Sequence, residues 1–315
     1  MKKIINIFIL LTSINSFAKK ENIDFLFENK IDSLISFSNA IQTGSDLSRL
    51  IANQKFEKVL RDVLNDPTSI DYDYSNIKCL SVIESPKKKQ KFRIYTWAMK
   101  LGNDDYDYFG FTQYQKNKND KLKNFVYKLS NKSKEIGKDE LSTLDSNNWI
   151  GCVYYQIVAP EKRKDKTYIL IGWDGNNWRS TKKIIETFSF NNKGEISFGK
   201  KIIRYNLGTK KRPKVVSKAR LIFEYNGEVS MTVSYNSNLK KIIFDHLRPS
   251  DPKLADLYFT YAPDFTYDAL EYEKKKWIHS SDIDVRNQEE VKPVRWQPKD
   301  INERTKDTLI PQRSN

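Results

Sequence analysis

TYILIGWDGN, residues 167–176, is the stretch on which the fold turns. A run of β-branched and aromatic residues from Thr167 to Trp173 stops at Asp174-Gly175-Asn176, where residues tolerant of positive φ allow a tight reversal. A second run, Lys183 to Phe190, returns from it, which is the pattern of successive antiparallel strands. Upstream, similar runs cover Ile77 to Glu84, Phe92 to Lys100, Tyr106 to Tyr114 and Gly151 to Val158. Downstream they cover Ile196 to Tyr205, Ala219 to Tyr225, Val229 to Tyr235, Lys240 to Leu247, Leu257 to Tyr261, Ala269 to Glu273 and Lys276 to Ser280. Further hairpin turns are expected at Gly102-Asn103-Asp104, Asn192-Lys193-Gly194 and Asn226-Gly227, while Gln115 to Lys123 reads as a lysine-rich loop.

The strands fall into loose groups of about four, opening after Asn76, Asn148 and Ser217, which admits a propeller-like arrangement as an alternative. Three groups do not close a propeller. The economical expectation is a mainly β fold, an antiparallel sandwich or open barrel, with strands that bury one face. Residues 19–67 read as a helical segment: Ser45 or Asp46 caps a stripe of Leu47, Leu50, Ile51, Phe56, Val59, Leu60, Val63 and Leu64 that Pro67 ends, and a weaker helix covers Ile23 to Ala40. The β region is expected over residues 68–285, followed by a polar tail at 286–315 whose Pro293, Pro298 and Pro311 suit disorder.

The first eighteen residues have the form of a secretory signal. Lys2 and Lys3 precede the apolar run Ile4 to Ile14, and Ser16-Phe17-Ala18 offers small residues where a signal peptidase reads, so cleavage is expected after Ala18. A membrane span needs about 20 apolar residues, which this run does not reach. Expected locations are therefore the periplasm or the exterior, with no transmembrane segment after cleavage. Removing Lys2 and Lys3 takes the formal charge from +15 to +13. That balance suits a polyanion, but Lys and Asn are spread throughout and charge runs are usually solvated faces, so specific nucleic-acid binding is not expected. Cys79 and Cys152 both lie in apolar stretches; outside the cytoplasm they could pair, or stay as two buried thiols.

Several segments together resemble a family of uncharacterised exported proteins of Bacteroidetes-type bacteria. They are YILIGWDGN (Tyr168 to Asn176), KIIE (Lys183 to Glu186), Phe198-Gly199, RLIFEYN (Arg220 to Asn226) with Met231, FDHLRP (Phe244 to Pro249), and DFTYD (Asp264 to Asp268) leading to Trp277 and Asp282 to Asp284. The resemblance spans roughly residues 75 to 286. It implies export and a shared β fold, and brings no activity, cofactor or catalytic residue with it.

Acidic residues are dense between Asp245 and Asp284: nine acids (Asp245, Asp251, Asp256, Asp264, Asp268, Glu271, Glu273, Asp282 and Asp284) stand against five bases. Such carboxylates can bind Ca²⁺ or work as an acid/base pair on a glycosidic bond, yet neither spacing signature is present, and turn-forming and solvated roles are the commoner ones. No metal site and no cofactor are expected, with Ca²⁺ the one ion the segment would suit. His246 beside Asp245 is the natural place for proton transfer, although a histidine ending a strand more often bonds backbone at a turn. The catalytic candidates are Asp245, His246, Asp264 and Asp268. Trp173 and Trp178 bracket a turn containing Asp174 and Asn176, a place where aromatic rings and polar groups could grip a ligand; Tyr95 and Trp97 read as core. GxSxG, Walker-type and GxGxxG signatures are lacking. The leading expectation is thus a non-catalytic cell-envelope or secreted protein that binds an envelope protein or glycan. Hydrolysis of an extracellular polymer by Asp or Glu of residues 245–284, and polyanion binding, are the alternatives.

Overall fold

The computed structural model describes residues 27–284 except 88–90, 119–120, 160–165, 192 and 210. The expected signal peptide and the polar tail lie outside the described residues. Two helices lead: α1 (27–43) and α2 (Asp46–Leu64), the latter capped by Ser45, whose hydroxyl accepts the Ser48 N–H. None of the described helices is long and apolar enough to cross a membrane.

Among the described residues fifteen strands follow in three sheets. The first sheet is an antiparallel meander of β1 (Ser81–Glu84), β2 (Phe92–Lys100), β3 (Tyr106–Lys118) and β4 (Lys121–Leu129). The middle sheet runs β11 (Arg220–Asn226), β7 (Ser180–Phe190), β6 (Thr167–Asp174), β5 (Val153–Val158), with β8 (Ile196–Phe198) also on β7. The last sheet runs β10 (Val215–Lys218), β9 (Ile203–Asn206), β15 (Lys276–Ser280), β14 (Tyr261–Glu273), β13 (Lys241–Pro249), β12 (Val233–Asn236). All pairings are antiparallel except β15 with β9. The fold is mainly β and sandwich-like, with no closed barrel.

The helices and sheets stack in order, and side-chain alternation shows why. In β2, Tyr95, Trp97 and Met99 meet Leu34, Phe56 and Leu60 of the helices, while Phe92 and Ile94 turn to the middle sheet. Within β6, Tyr168 and Leu170 join that same layer, while Ile169 and Ile171 face the last sheet, where Ile242, Phe244 and Leu270 receive them. The middle sheet is therefore buried on both faces, contrary to the expected single buried face. Strands buried on both sides read as unbroken apolar runs, which is the character of YILIGW. Each such Leu, Ile or Phe contributes roughly 1.5–3 kcal/mol on burial.

Other expectations are corrected in detail. Much of Gln115 to Lys123 is strand, the far end of the β3–β4 hairpin, because Tyr114 and Phe125 pair there. Ile196 to Tyr205 is two strands in different sheets, separated at Gly199, whose φ is +95°. Asn226-Gly227 carries the chain from the middle to the last sheet instead of closing a hairpin, and Val215 to Lys218 is an additional strand. Leu257 to Tyr261 is mainly a 3-10 turn, Tyr258–Thr260, after which β14 begins. Cys79 and Cys152 are free thiols in different cores, Cys152 fully buried between the first two sheets. Burial pushes the Cys79 thiol up to about 11 and that of Cys152 well above its ordinary value.

Candidate functional site

A cleft of about 500 Å³ opens where the core between the middle and last sheets ends. It is formed locally by strand alternation. Ile242 and Phe244 on β13 point into the core, so His246, two residues on, lies on the same face but past the cover of the middle sheet. The register of β14 sets Asp268 opposite Phe244, and that of β15 sets His279 opposite Leu270. Phe223 and Glu224 of β11 form the facing wall, and the turn at Tyr258 with Tyr261 closes one end.

Both histidines of the chain line this cleft, each bonded to an aspartate of β14. His279 is embedded: its ring stacks on Tyr205 at 4.1 Å, its Nδ1 accepts the Asn206 N–H at 3.3 Å, and its Nε2 meets Asp268 Oδ2 at 3.1 Å. Since Nδ1 accepts, Nε2 carries the proton and donates to Asp268. The other Asp268 oxygen accepts the Asp282 N–H at 3.1 Å. This pair is satisfied throughout and acts as a buried brace.

His246 is different. Its Nδ1 lies 3.0 Å from Asp264 Oδ2, and its side chain is about one-third exposed. Asp264 Oδ1 accepts both the N–H and the hydroxyl of Thr266, and Arg248 Nε lies 2.8 Å from Oδ2. Burial works against ionisation of Asp264, but the Thr266 and His246 hydrogen bonds outweigh it and hold its carboxyl below the usual range. The β13–β14 register slips here, Asp245 pairing Tyr267 but Leu247 pairing Pro263, so Asp264, Phe265 and Thr266 bulge opposite the single His246. At the crest Phe265 has a φ of 65° and is 91% exposed, an uncommon conformation for an aromatic residue.

Of the sequence candidates, the structure gathers Asp245, His246, Asp264 and Asp268 at or beside the cleft, with Asp245 Oδ2 accepting the Thr232 N–H. Of the other acids, Asp251 caps the Pro252–Leu254 turn, Glu271 pairs with Lys241, and Asp282 meets Asp268 through its backbone N–H. Among the described residues no three His, Cys, Asp or Glu side chains are placed to share a metal ion. His279 was invisible to sequence reasoning, because nothing in KKKWIHS signals a partner eleven residues earlier in the chain; only the β14–β15 register joins it to Asp268.

The turn after β6 is built from within. Asp174 is buried, its Oδ1 accepting the Tyr108 hydroxyl and the Asn176 N–H, while Asn176 bonds Ser180 and Lys182. Trp173 is half-buried against Tyr106. Trp178 is 69% exposed, and the Arg179 guanidinium lies over both its ring (5.4 Å) and that of Phe259 (3.9 Å). Phe259 follows Tyr258 of the cleft wall, so the two regions singled out separately in the sequence adjoin. Lys138 stands 3.4 Å over Tyr258 and 2.6 Å from Glu224; burial opposes ionisation of Glu224, but Lys138 and Ser180 keep its carboxyl below the usual range.

No family model, curated protein or solved structure matches the chain.

Proposed function

We propose that this is an exported cell-envelope or secreted protein that binds a glycan chain in the cleft between its middle and last sheets. What carries the reading is a run of rings from exposed Trp178, bridged by the Arg179 guanidinium to Phe259, and on to Tyr258 and Tyr261 at the cleft. Apolar ring faces beside amides and carboxylates suit the alternating C–H and O–H surfaces of a sugar. The volume is within the roughly 300–1,000 Å³ of small-ligand sites. Among the described residues three carboxylates, Glu224, Asp245 and Asp268, and no Lys or Arg line the cleft, which favours a hydroxylated ligand without negative charge over a polyanion. Export rests on residues 1–18.

Isothermal titration with xylo-, cello- and chito-oligosaccharides tests the reading. Binding of at least one series is expected, weakened roughly tenfold or more in Trp178→Ala or Tyr258→Ala, the loss expected for an aromatic anchor worth more than 1 kcal/mol. Affinity should change little with salt. Binding only to polyanions, with affinity falling steeply as ionic strength rises, would replace this reading with the electrostatic one.

A further inference from the structure

We propose that His246 is a general base that activates water against an ester carried by the ligand of the cleft, making the protein a hydrolase of acylated, hydroxylated molecules. This rests on the cleft being a ligand site, as above, and adds the chemistry performed there.

The two histidines are separated by what their second nitrogen does. His279 has both nitrogens engaged and its ring stacked, so it has no lone pair to offer. For His246, ionised Asp264 takes the Nδ1 proton in a hydrogen bond, which leaves Nε2 as the bare acceptor, and no described residue bonds it. Asp264 is itself fixed by Thr266 and by Arg248. A base held by a carboxylate that is in turn held by a third group is the arrangement that orients imidazole for proton transfer. The backbone supplies an independent sign: the bulge that delivers Asp264 keeps Phe265 in the left-handed region while fully solvated, where packing offers no compensation.

The nucleophile follows from what is near. Neither thiol is at the cleft, and no described hydroxyl bonds Nε2, so water is the attacking group. An ester fits better than a glycosidic bond. Glycoside cleavage needs a carboxylic acid free to protonate the leaving oxygen. Of the three carboxylates lining the cleft, Asp268 is committed to His279 and the Asp282 N–H, Glu224 to Lys138 and Ser180, and Asp245 to the Thr232 N–H. In the reaction, Nε2 takes a proton from water as its oxygen bonds to the acyl carbon, and the carbonyl electron pair moves onto oxygen. The imidazolium formed at His246, still bonded to Asp264, is the positive charge beside that oxyanion. Collapse breaks the ester C–O bond, and the departing alkoxide takes the proton back from Nε2. The products are a carboxylic acid and a free hydroxyl, with no redox partner required.

The full chain without its first eighteen residues is assayed with p-nitrophenyl acetate and with acetylated xylo-oligosaccharide. Saturable release of acetate is expected, with kcat falling roughly 100-fold or more in His246→Gln, the scale of a lost general base. Asp264 is a positioning residue: Asp264→Asn should lower kcat with KM unchanged, and Asp264→Glu should restore part of it. Nitrogen-15 NMR of the unsubstituted protein should show His246 protonated at Nδ1 and bare at Nε2, which checks the geometry without any variant having to fold. Equal rates for the unsubstituted protein and His246→Gln on both substrates, or the opposite tautomer, would overturn the proposal. Glycan binding without ester turnover sinks this inference and leaves the binding reading intact. Turnover of p-nitrophenyl acetate that depends on His246, in a protein that binds no oligosaccharide, supports the base and sinks the glycan ligand.

Discussion

Arg220 and Glu186 form a fully buried ion pair, Nε to Oε1 at 2.6 Å, in the layer between the first and middle sheets. Glu186 Oε2 accepts the Tyr154 hydroxyl, which in turn accepts the Trp149 indole N–H, and Arg220 Nη1 donates to the Asp139 carbonyl. Nη2 is left without a partner and lies against Gly199. Removing one member of such a pair strands the other charge, so Arg220→Met should cost about 3–5 kcal/mol in urea unfolding. The double variant Arg220→Met with Glu186→Leu should recover most of that; a double variant no better than the single one would show that the pair is not the source of the loss. Gly199→Ala should also destabilise, because its φ of +95° and a Cβ placed 2.5 Å from Arg220 Nη2 leave no room for a methyl group. Little of this was legible beforehand. RLIFEYN and KIIE read only as strands, since a charge in an apolar run does not announce whether its partner is another side chain or solvent. Asp245, Asp264 and Asp268 could be singled out from local acid density, and His246 from its neighbour, but their pairing needed the sheet register.

The β14–β15 hairpin shows where element-level signals fail. Its turn is Lys274-Lys275, with φ of 46° and 67°, a conformation that ordinarily calls for Asn-Gly. The register, Glu273 opposite Lys276, is instead imposed by the burial of Leu270 and Trp277 on the same face. Tertiary packing thus holds two lysines in a locally unfavourable state. Substituting Lys274→Asn and Lys275→Gly together should raise stability by roughly 1–2 kcal/mol, read as a higher denaturant midpoint; a fall would mean that the lysine side chains support the hairpin. By contrast, β2 and β15 were bounded correctly from sequence, and the Asp174-Gly175-Asn176 turn too, because apolar runs and turn chemistry agree there. β4 was missed because Lys121, Lys123 and Asn124 at its start continue the lysine-rich stretch that reads as loop, although Val126, Tyr127 and Leu129 pack on the cores.

Across the molecule, burial pushes the phenols of Tyr95 and Tyr154 well above their ordinary value, and that of Tyr108 likewise, with Asp174 adding to it. In the unfolded chain these groups lose protons near pH 10, whereas the native state keeps them. Above that pH the unfolded state binds fewer protons, so stability must fall as pH rises, by up to about 1.4 kcal/mol per pH unit for each such tyrosine. At the acid end the sign reverses: Asp264 and Glu224, both held low, give stability that is present above the ordinary carboxylate range and disappears as pH drops through their folded values. Urea midpoints measured from pH 3 to 11 should therefore be flat around neutrality and decline at both ends; a rise above pH 10 would contradict the buried phenols. The stacking of three sheets was beyond the sequence reading, which supplied strands but not the fact that the central ones have two covered sides. The parallel contact of β15 with β9 carries a temporal corollary. A polypeptide that leaves a ribosome or a secretion pore amino end first presents Tyr205 and Asn206 some seventy residues before His279, the ring that seats against them. Until that late strand arrives, the early one has no neighbour on that side and the cleft lacks one wall, so a chain cut short before residue 276 would leave the cavity gaping along that edge.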